Sequence, residues 1–497
     1  MIVSELKQNV ELFMEEIFRD YEHTLVKNAK AIHDSVLETN YFLPYEIAFL
    51  DLPIVQRLRH ISQTDVASYV FPSGNHNRLE HTLGVATIAG KFVDALYRRN
   101  SSVLMETNIS KEFAYQHCRV AAILHDVGHG PFSHLSEQVY AAHFKEIKKE
   151  PRFLGASPHE ILSYLITTSE RMQRFNTEII KDKYGIEIDL QLVGDIIVGF
   201  SVDKPDKVFM VEIINGAFDA DKLDYMLRDS HSTGIPMSLD LSRLLYSLDV
   251  IKHEDRTRLS TDIGGVIALE QIVFNKMTLF TTIYHHHKVR ATGCLLKSVF
   301  INNEEFQSPT DYLKYTDDDI WSFKSAAEKT VILQNLKKRK IPKRALVISA
   351  RTIGMGLENL RDIMNLAEGS IEPTNGIAGE DYIDAITTTI AERVLEKYNL
   401  DIRDQIWIDI PNAPRFKEAI TCVIKNYSTT TPYLTLSNVF PIDEWVKAFS
   451  QNKWNAFVFT MPEYCKEVSE VSKMVFEELF NIKFNEYALS ICKISEA

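Results

Sequence analysis

The sequence predicts a mainly α protein, with a large helical core followed by a smaller C-terminal α/β lobe. Three observations carry this. Apolar residues recur at three-to-four spacing through most of residues 1–305, as in Ile54-Val55-Leu58-Ile61, Leu83-Ile88-Phe92-Leu96 and Val120-Ile123-Leu124. After about residue 305, short β-prone runs alternate with helical patterns: 344–349, 405–410 and 456–460. The chain has 497 residues, 45% apolar and 25% charged, an ordinary globular composition with room for more than one lobe.

Taken in order, residues 1–29 read as an acidic amphipathic helix (Leu6, Val10, Phe13, Ile17) rather than a signal peptide. Residues 30–305 form the helical core, interrupted by turn clusters at 71–75 and 155–158. The second cluster introduces a helix with His159 near its start. Residues 306–497 form the α/β lobe, entered through the basic run Lys337-Lys338-Arg339-Lys340-Ile341-Pro342-Lys343-Arg344. That run reads as a solvated connector, with a phosphate or nucleic-acid contact as the alternative.

Charge and cysteine content narrow the function. The net charge is −13, so no global field favours nucleic acid. Five scattered cysteines without a CxxC fit a reducing compartment and exclude a thiolate-bound zinc site. No apolar run approaches the roughly 18 residues needed to span a bilayer, and the expected location is cytoplasmic.

The chemistry is concentrated in His125-Asp126-Val127-Gly128-His129-Gly130-Pro131-Phe132-Ser133-His134. A chain with 16 His in 497 residues should place about 0.3 in ten positions, whereas this segment holds three. Imidazole and carboxylate together suit a first-row divalent metal. On a helix His125 and His129 share a face, and Gly130-Pro131 then stops the helix and re-aims His134. A helix end capped by polar residues is the alternative. Two further segments strengthen the metal reading. Arg78 and His81 share a face of a helix opened by Asn75-His76-Asn77, and Asp221, Tyr225 and Asp229 form a stripe on another helix.

With Lys30-Ala31-Ile32-His33-Asp34, residues 51–59, Tyr69-Val70-Phe71-Pro72 and residues 284–290, these segments resemble the HD-domain phosphohydrolases. The resemblance is to the branch of bacterial dGTPases and the vertebrate SAM-and-HD-domain dNTP triphosphohydrolase. It covers roughly residues 30–300, with no SAM domain expected ahead of it, and implies an all-helical HD-domain core and homo-oligomerisation. By it, His81, His125, Asp126 and Asp221 are the ligands of a divalent metal (Mn, Fe, Zn, Mg or Ni). Two imidazoles and two carboxylates leave room for water and a phosphate oxygen, where a metal acts as a Lewis acid. His129 and Glu137 would form an acid/base pair, with Glu137 standing where the family usually has Asp and raising the His129 pKa. His159 would protonate the leaving oxygen. Arg78, His134, Lys222 and Tyr225 would contact phosphates, and Gln63 and Asp229 a sugar 3′-hydroxyl. The alternative for Lys222 and Arg228 is pairing with Asp219 and Asp224.

The implied reaction is attack of water on the α-phosphorus of a nucleoside triphosphate, most often a dNTP, releasing a nucleoside and tripolyphosphate. Thr64 and His285 stand where the vertebrate enzyme crowds the sugar 2′ position, so strict deoxyribose selection is not implied; Thr281 also replaces a family histidine. Lys30, Asp51, Gln56, Arg59 and Arg243 match part of a nucleotide-activator site, or Asp51, Arg57 and Arg59 form a structural ion-pair network. The triple His285-His286-His287 cannot converge on one ion from a regular helix. Other readings are a phosphomonoesterase or phosphodiesterase on another nucleotide or a nucleic-acid end, and a nucleotide sensor with a vestigial site.

Overall fold

A computed structural model describes the chain apart from residues 1, 202, 302, 324–326, 369–378, 414–415, 417–421, 429–431 and 493–497. The chain divides into two units that alternate along the sequence. One is Met1–Lys276 with Phe300–Phe323 and Phe416–Ile442; the other is Met277–Val299 with Lys324–Arg415 and Asp443–Ala497. The single boundary expected at residue 305 is therefore not where the contacts divide. Strand Val423–Lys425 pairs in parallel with Arg256–Asp262 and so returns a late segment to the first unit.

The first unit is helical, as the apolar periodicity requires, with small sheets added. Helix α1 (Val3–Ile17) buries Leu6, Val10, Phe13 and Met14. A hairpin that the periodicity does not announce follows, β1 (Lys30–Asp34) against β2 (Glu38–Phe42), antiparallel. Helix α2 (Pro44–Leu50) comes next, then α3 (Arg78–Arg99) and α4 (Lys111–Leu124), which pack extensively against each other. Helix α5 (His134–Tyr140), α6 (Pro158–Thr167) and α7 (Ala220–Thr233) complete the elements that position the site. A four-stranded sheet adds Leu248–His253, Arg256–Asp262, Val423–Lys425 and Tyr433–Thr435 in that order.

Local chemistry fixes the helix ends. Asn77 accepts from the Glu80 backbone N–H while Glu80 accepts from that of Asn77, a reciprocal cap that sets where α3 begins. Ser157 and Pro158 start α6, and Asp219 accepts from Lys222 N to start α7. One buried ion pair clamps α2 to α4: Arg119 donates to both oxygens of Glu46, at 2.5 and 3.0 Å.

The second unit centres on strand Ala456–Thr460, paired antiparallel with Lys343–Ile348 on one side and Ile406–Asp409 on the other. These are the three β-prone runs read from the sequence. All five residues of the central strand are buried: Ala456 and Val458 join the core with helices Gly379–Tyr398 and Cys465–Phe480, and Phe457 and Phe459 pack with Ala291 and Cys294. Arg290 donates to both oxygens of the buried Asp409, at 2.8 and 2.6 Å.

One expectation about apolar runs is corrected. Helix Ile263–Tyr284 is 22 residues long with a mean hydropathy of 1.3 in its most apolar window, enough by length and composition to cross a membrane. Half of that window is buried inside the protein, with Ala268, Leu269, Ile272 and Val273 in the core. A core helix passes the same test of length and hydropathy.

Candidate active site

The ends of three helices in the first unit bring His81, His125 and Asp221 together. His81 lies in the first turn of α3, His125 caps the end of α4, and Asp221 lies in the first turn of α7. One ligand atom from each lies within 4.8 Å of the others. His81 Nε2 is 3.0 Å from Asp221 Oδ1 and His125 Nε2 is 3.9 Å from it. His125 Nδ1 bonds the Ala122 carbonyl at 2.7 Å, which leaves Nε2 as the lone-pair nitrogen, and Nε2 is buried with no hydrogen-bond partner. His81 Nδ1 bonds Asp224 Oδ2 at 2.8 Å, the usual support for a metal-binding imidazole. Burial alone would lower the His81 pKa, but its bonds to Asp221 and Asp224 carry it up to about 10. An orphaned buried nitrogen and a carboxylate-backed imidazole facing a third donor fit a divalent cation.

Asp126 adjoins both imidazoles of this group, with Oδ2 3.8 Å from His81 Nε2. Its Oδ2 accepts from Arg78 Nη1 at 2.5 Å, while Oδ1 lies 3.3 Å from His125 Nε2 and 3.5 Å from His129 Nε2. Burial pushes its pKa up, but Arg78 and the neighbouring histidines hold it well below the usual range. Arg78 is anchored again by Ser133 Oγ at 2.6 Å, and its Nη2 is buried without a partner.

A second group, His129, His134, Glu137 and His159, follows directly. The expected shared helix for His125 and His129 does not exist: α4 ends at Leu124, and residues 125–128 form a turn. The expected His129–Glu137 pair is also corrected. Glu137 Oε1 takes His159 Nδ1 at 3.0 Å and Oε2 takes His134 Nδ1 at 2.7 Å. His129 instead stacks on His159, with ring centroids 3.8 Å apart. Its pKa falls well below the ordinary value, through burial first and then the positive charge of Arg78 and His159. Burial disfavours the charged forms of both Glu137 and His159, yet their attraction holds the Glu137 carboxyl well below its usual range and raises His159. The reason α6 comes so close is Gly128: a Cβ there would strike the His159 carbonyl and the Ser163 backbone nitrogen. Phe132 and Ser133, both at φ 53°, hold the connection to His134 in the left-handed region, tied down by Asp317, which accepts from Phe132 N at 2.7 Å.

Residues 78–182 match the HD domain family, and residues 239–486 match the HD associated region. The chain is an HD-domain protein. Its homologues include an uncharacterized protein of Methanocaldococcus jannaschii, 24% identical over 89% of this chain and 81% of that protein. The deoxynucleoside triphosphate triphosphohydrolase SAMHD1 homolog of Dictyostelium discoideum is 26% identical over 71% of this chain and 68% of its own length. The deoxynucleoside triphosphate triphosphohydrolase SAMHD1 of Homo sapiens is 27% identical over 56% of this chain. The match spans less than half of that human protein, 46% of its length.

The remaining residues expected to contact substrate divide between the units. In the HD-domain unit, Gln63 and Thr64 are buried; Gln63 Oε1 has no partner, and Thr64 Oγ1 reaches the Gly74 carbonyl at 3.4 Å. Asp229 binds His76 Nε2 at 2.8 Å, a pairing the sequence reading did not include. Tyr225 is half-buried on α7. Lys222 turns back to Asp219 and the Gly216 carbonyl, at 2.5 and 2.9 Å, and Arg228 pairs with Asp224, the structural alternative in both cases. His285 belongs to the second unit, where it meets Phe280 edge-on; burial, then Arg290, lowers its pKa to about 4. Thr281 there bonds the Met277 carbonyl. Of the activator candidates, Lys30, Asp51, Arg59 and Arg243 are exposed. Gln56 accepts from Arg59 at 3.2 Å, and Arg57 donates to the carbonyls of Tyr312 and Tyr315.

Proposed function

We propose that this HD-domain protein hydrolyses nucleoside triphosphates, dNTPs foremost, to nucleoside and tripolyphosphate with a bound divalent cation. The observation that carries this reading is the junction at Asp126. Its carboxylate lies between a three-donor group with a free imidazole nitrogen and His129, whose ring stacks on the His159 of the His159–Glu137 pair. The deoxynucleoside triphosphate triphosphohydrolase activity for which the Dictyostelium and human homologues are named supports the choice of substrate.

His81, His125 and Asp221, with Asp126 alongside, would hold the cation, which when bound polarises a phosphate oxygen and acidifies water. The chain's own residues do the rest. Arg78 offers its unpartnered Nη2 to a phosphoryl oxygen whose charge grows as the bond breaks. Glu137 accepts from His159 Nδ1, which fixes the tautomer and orientation of that ring and leaves Nε2 to protonate the departing 5′-oxygen. Water adds to the α-phosphorus, the bond to the 5′-oxygen breaks, the nucleoside leaves protonated, and the three phosphates leave together.

The test is incubation with Mn²⁺ and each dNTP and rNTP, alone and mixed, resolving nucleosides, nucleotides and phosphates by ion-pair chromatography. Nucleoside with tripolyphosphate, lost in His125→Ala/Asp126→Ala, is the expected result. Metal-loaded protein that turns over no triphosphate, or that releases monophosphate and pyrophosphate, overturns the reading. The mixtures also read out nucleotide activation, and ribonucleotide turnover shows whether Thr64 admits a 2′-hydroxyl.

A further inference from the structure

A line of buried charge runs from the surface hairpin to the metal group. Asp34, at the end of β1, uses Oδ1 to accept from the backbone of Val36 and Leu37, at 2.7 and 2.9 Å, and so closes the turn into β2. Its other oxygen accepts from Arg228 Nη2 at 2.7 Å. That same Nη2 donates to Asp224 Oδ1 at 2.9 Å, and Arg228 Nε donates to Asp224 Oδ2 at 2.8 Å. Asp224 Oδ2 in turn holds His81 Nδ1 at 2.8 Å. The Arg228, Asp224 and His81 side chains are at most 2% exposed, so water does not share these bonds. The bare backbone of α3 walls the line on one side: a Cβ on Gly84 would collide with both Asp224 Oδ1 and Arg228 Nη2.

We propose that Asp34 is a positioning residue for the metal centre, fixing His81 through Arg228 and Asp224 and so coupling the β1–β2 hairpin to metal affinity. The inference rests on the reading of His81 as a metal ligand. Arg228 is one guanidinium shared by two carboxylates. Without Asp34 the guanidinium keeps Asp224 as its carboxylate partner but loses its second anchor, and with it the fixed placement of Asp224 that aims the imidazole. Outer partners of metal-binding histidines change affinity by about 10–100-fold when removed.

The test is Mn²⁺ affinity of the full chain, by equilibrium dialysis with elemental analysis. Asp34→Asn is the primary variant, because its retained Oδ1 still closes the hairpin turn while the charge facing Arg228 is gone. It is expected to bind Mn²⁺ roughly tenfold more weakly or worse, with unchanged circular dichroism. His33→Ala, which removes the exposed His33–Thr39 contact on the same hairpin, is expected to bind like wild type. Arg228→Lys, keeping charge but unable to span both carboxylates, should weaken binding too, and the double variant should lose no more than the worse single one. Asp34→Glu should recover part of the affinity. Wild-type Mn²⁺ affinity in folded Asp34→Asn or Arg228→Lys overturns the proposal, as does simple additivity of their losses. A wild-type protein that binds no divalent ion overturns the metal centre and the proposal together.

Discussion

The two histidine groups are adjacent, share Asp126 as a neighbour, and differ in how their polar atoms are satisfied. In the group of His81, His125 and Asp221, one imidazole nitrogen is buried with nothing to bond. The other imidazole is held from behind by Asp224. In the group of His129, His134, Glu137 and His159, one carboxylate already serves two imidazoles, one on each oxygen. A buried orphan is costly unless something else completes it; in the first group the orphan lies with two further donors, His81 and Asp221, whereas in the second it is His129, both of whose ring nitrogens are buried without a partner while its ring stacks on His159. The second balances charge at Glu137, which holds His134 and His159. Residue composition alone does not separate them; how the carboxylate is engaged does, Glu137 serving one imidazole with each oxygen.

The comparison breaks most sharply under deletion of the orphan. His125→Ala removes the free nitrogen and should abolish stoichiometric divalent-metal binding and lower turnover by at least roughly 10³-fold, with metal content read by elemental analysis beside the activity. Glu137→Gln is the matched change in the second group. It should leave metal stoichiometry at the wild-type value and lower turnover by about 10²–10⁴-fold. Loss of metal in Glu137→Gln would mean that the two groups form one metal site and that the division drawn here is false.

Gly128→Ala tests the contact that brings the groups together. The added Cβ meets the His159 carbonyl and Ser163 N, both backbone, so no flexible side chain can move aside. The turn from Asp126 to His129 and the start of α6 must separate, at about 1–3 kcal/mol, the usual cost of overpacking. Thermal denaturation should register that loss, and turnover should fall in the metal-loaded protein. An unchanged melting temperature would show that α6 has room to shift.

Most of the first group is legible in the sequence because each member sits at a helix end marked by its own segment: Asn77 and Glu80 ahead of His81, Asp219 ahead of Asp221, and the histidine-rich turn around His125. The second group is less so. The family resemblance implies a His129–Glu137 pair, but the carboxylate goes to His134 three residues away and to His159 from α6. Only a three-dimensional fact, the missing Cβ of Gly128, decides that. The sequence offers Asp224 only as a partner for Arg228; its bond to His81 has no signal there, because a helical repeat shows which residues share a face but not what covers it. Asp317, which holds both Ser62 N and Phe132 N, had no local signal. The strand at 423–425 likewise joins a sheet more than 160 residues away in sequence, which no local pattern carries.

The smallest expected effect is the pH dependence of the second group's internal pairing, measured on metal-free protein. Glu137 has its pKa depressed in the fold, so its contribution is present above the unfolded carboxyl value of about 4.3 and is lost as pH falls through the folded one. His159 is raised, so its contribution is complete below about 6.5 and is lost as pH rises through its folded value. Both terms act together between those limits. The difference in stability between wild type and Glu137→Gln should therefore be greatest between about pH 4.5 and 6.5, on the order of 1 kcal/mol, and shrink on either side. Denaturant titration of both proteins across pH 4–9 reads it directly. A difference that does not vary with pH would mean Glu137 stabilises the fold by packing alone, and the second group would lose its claim to be a charge-balanced unit distinct from the first.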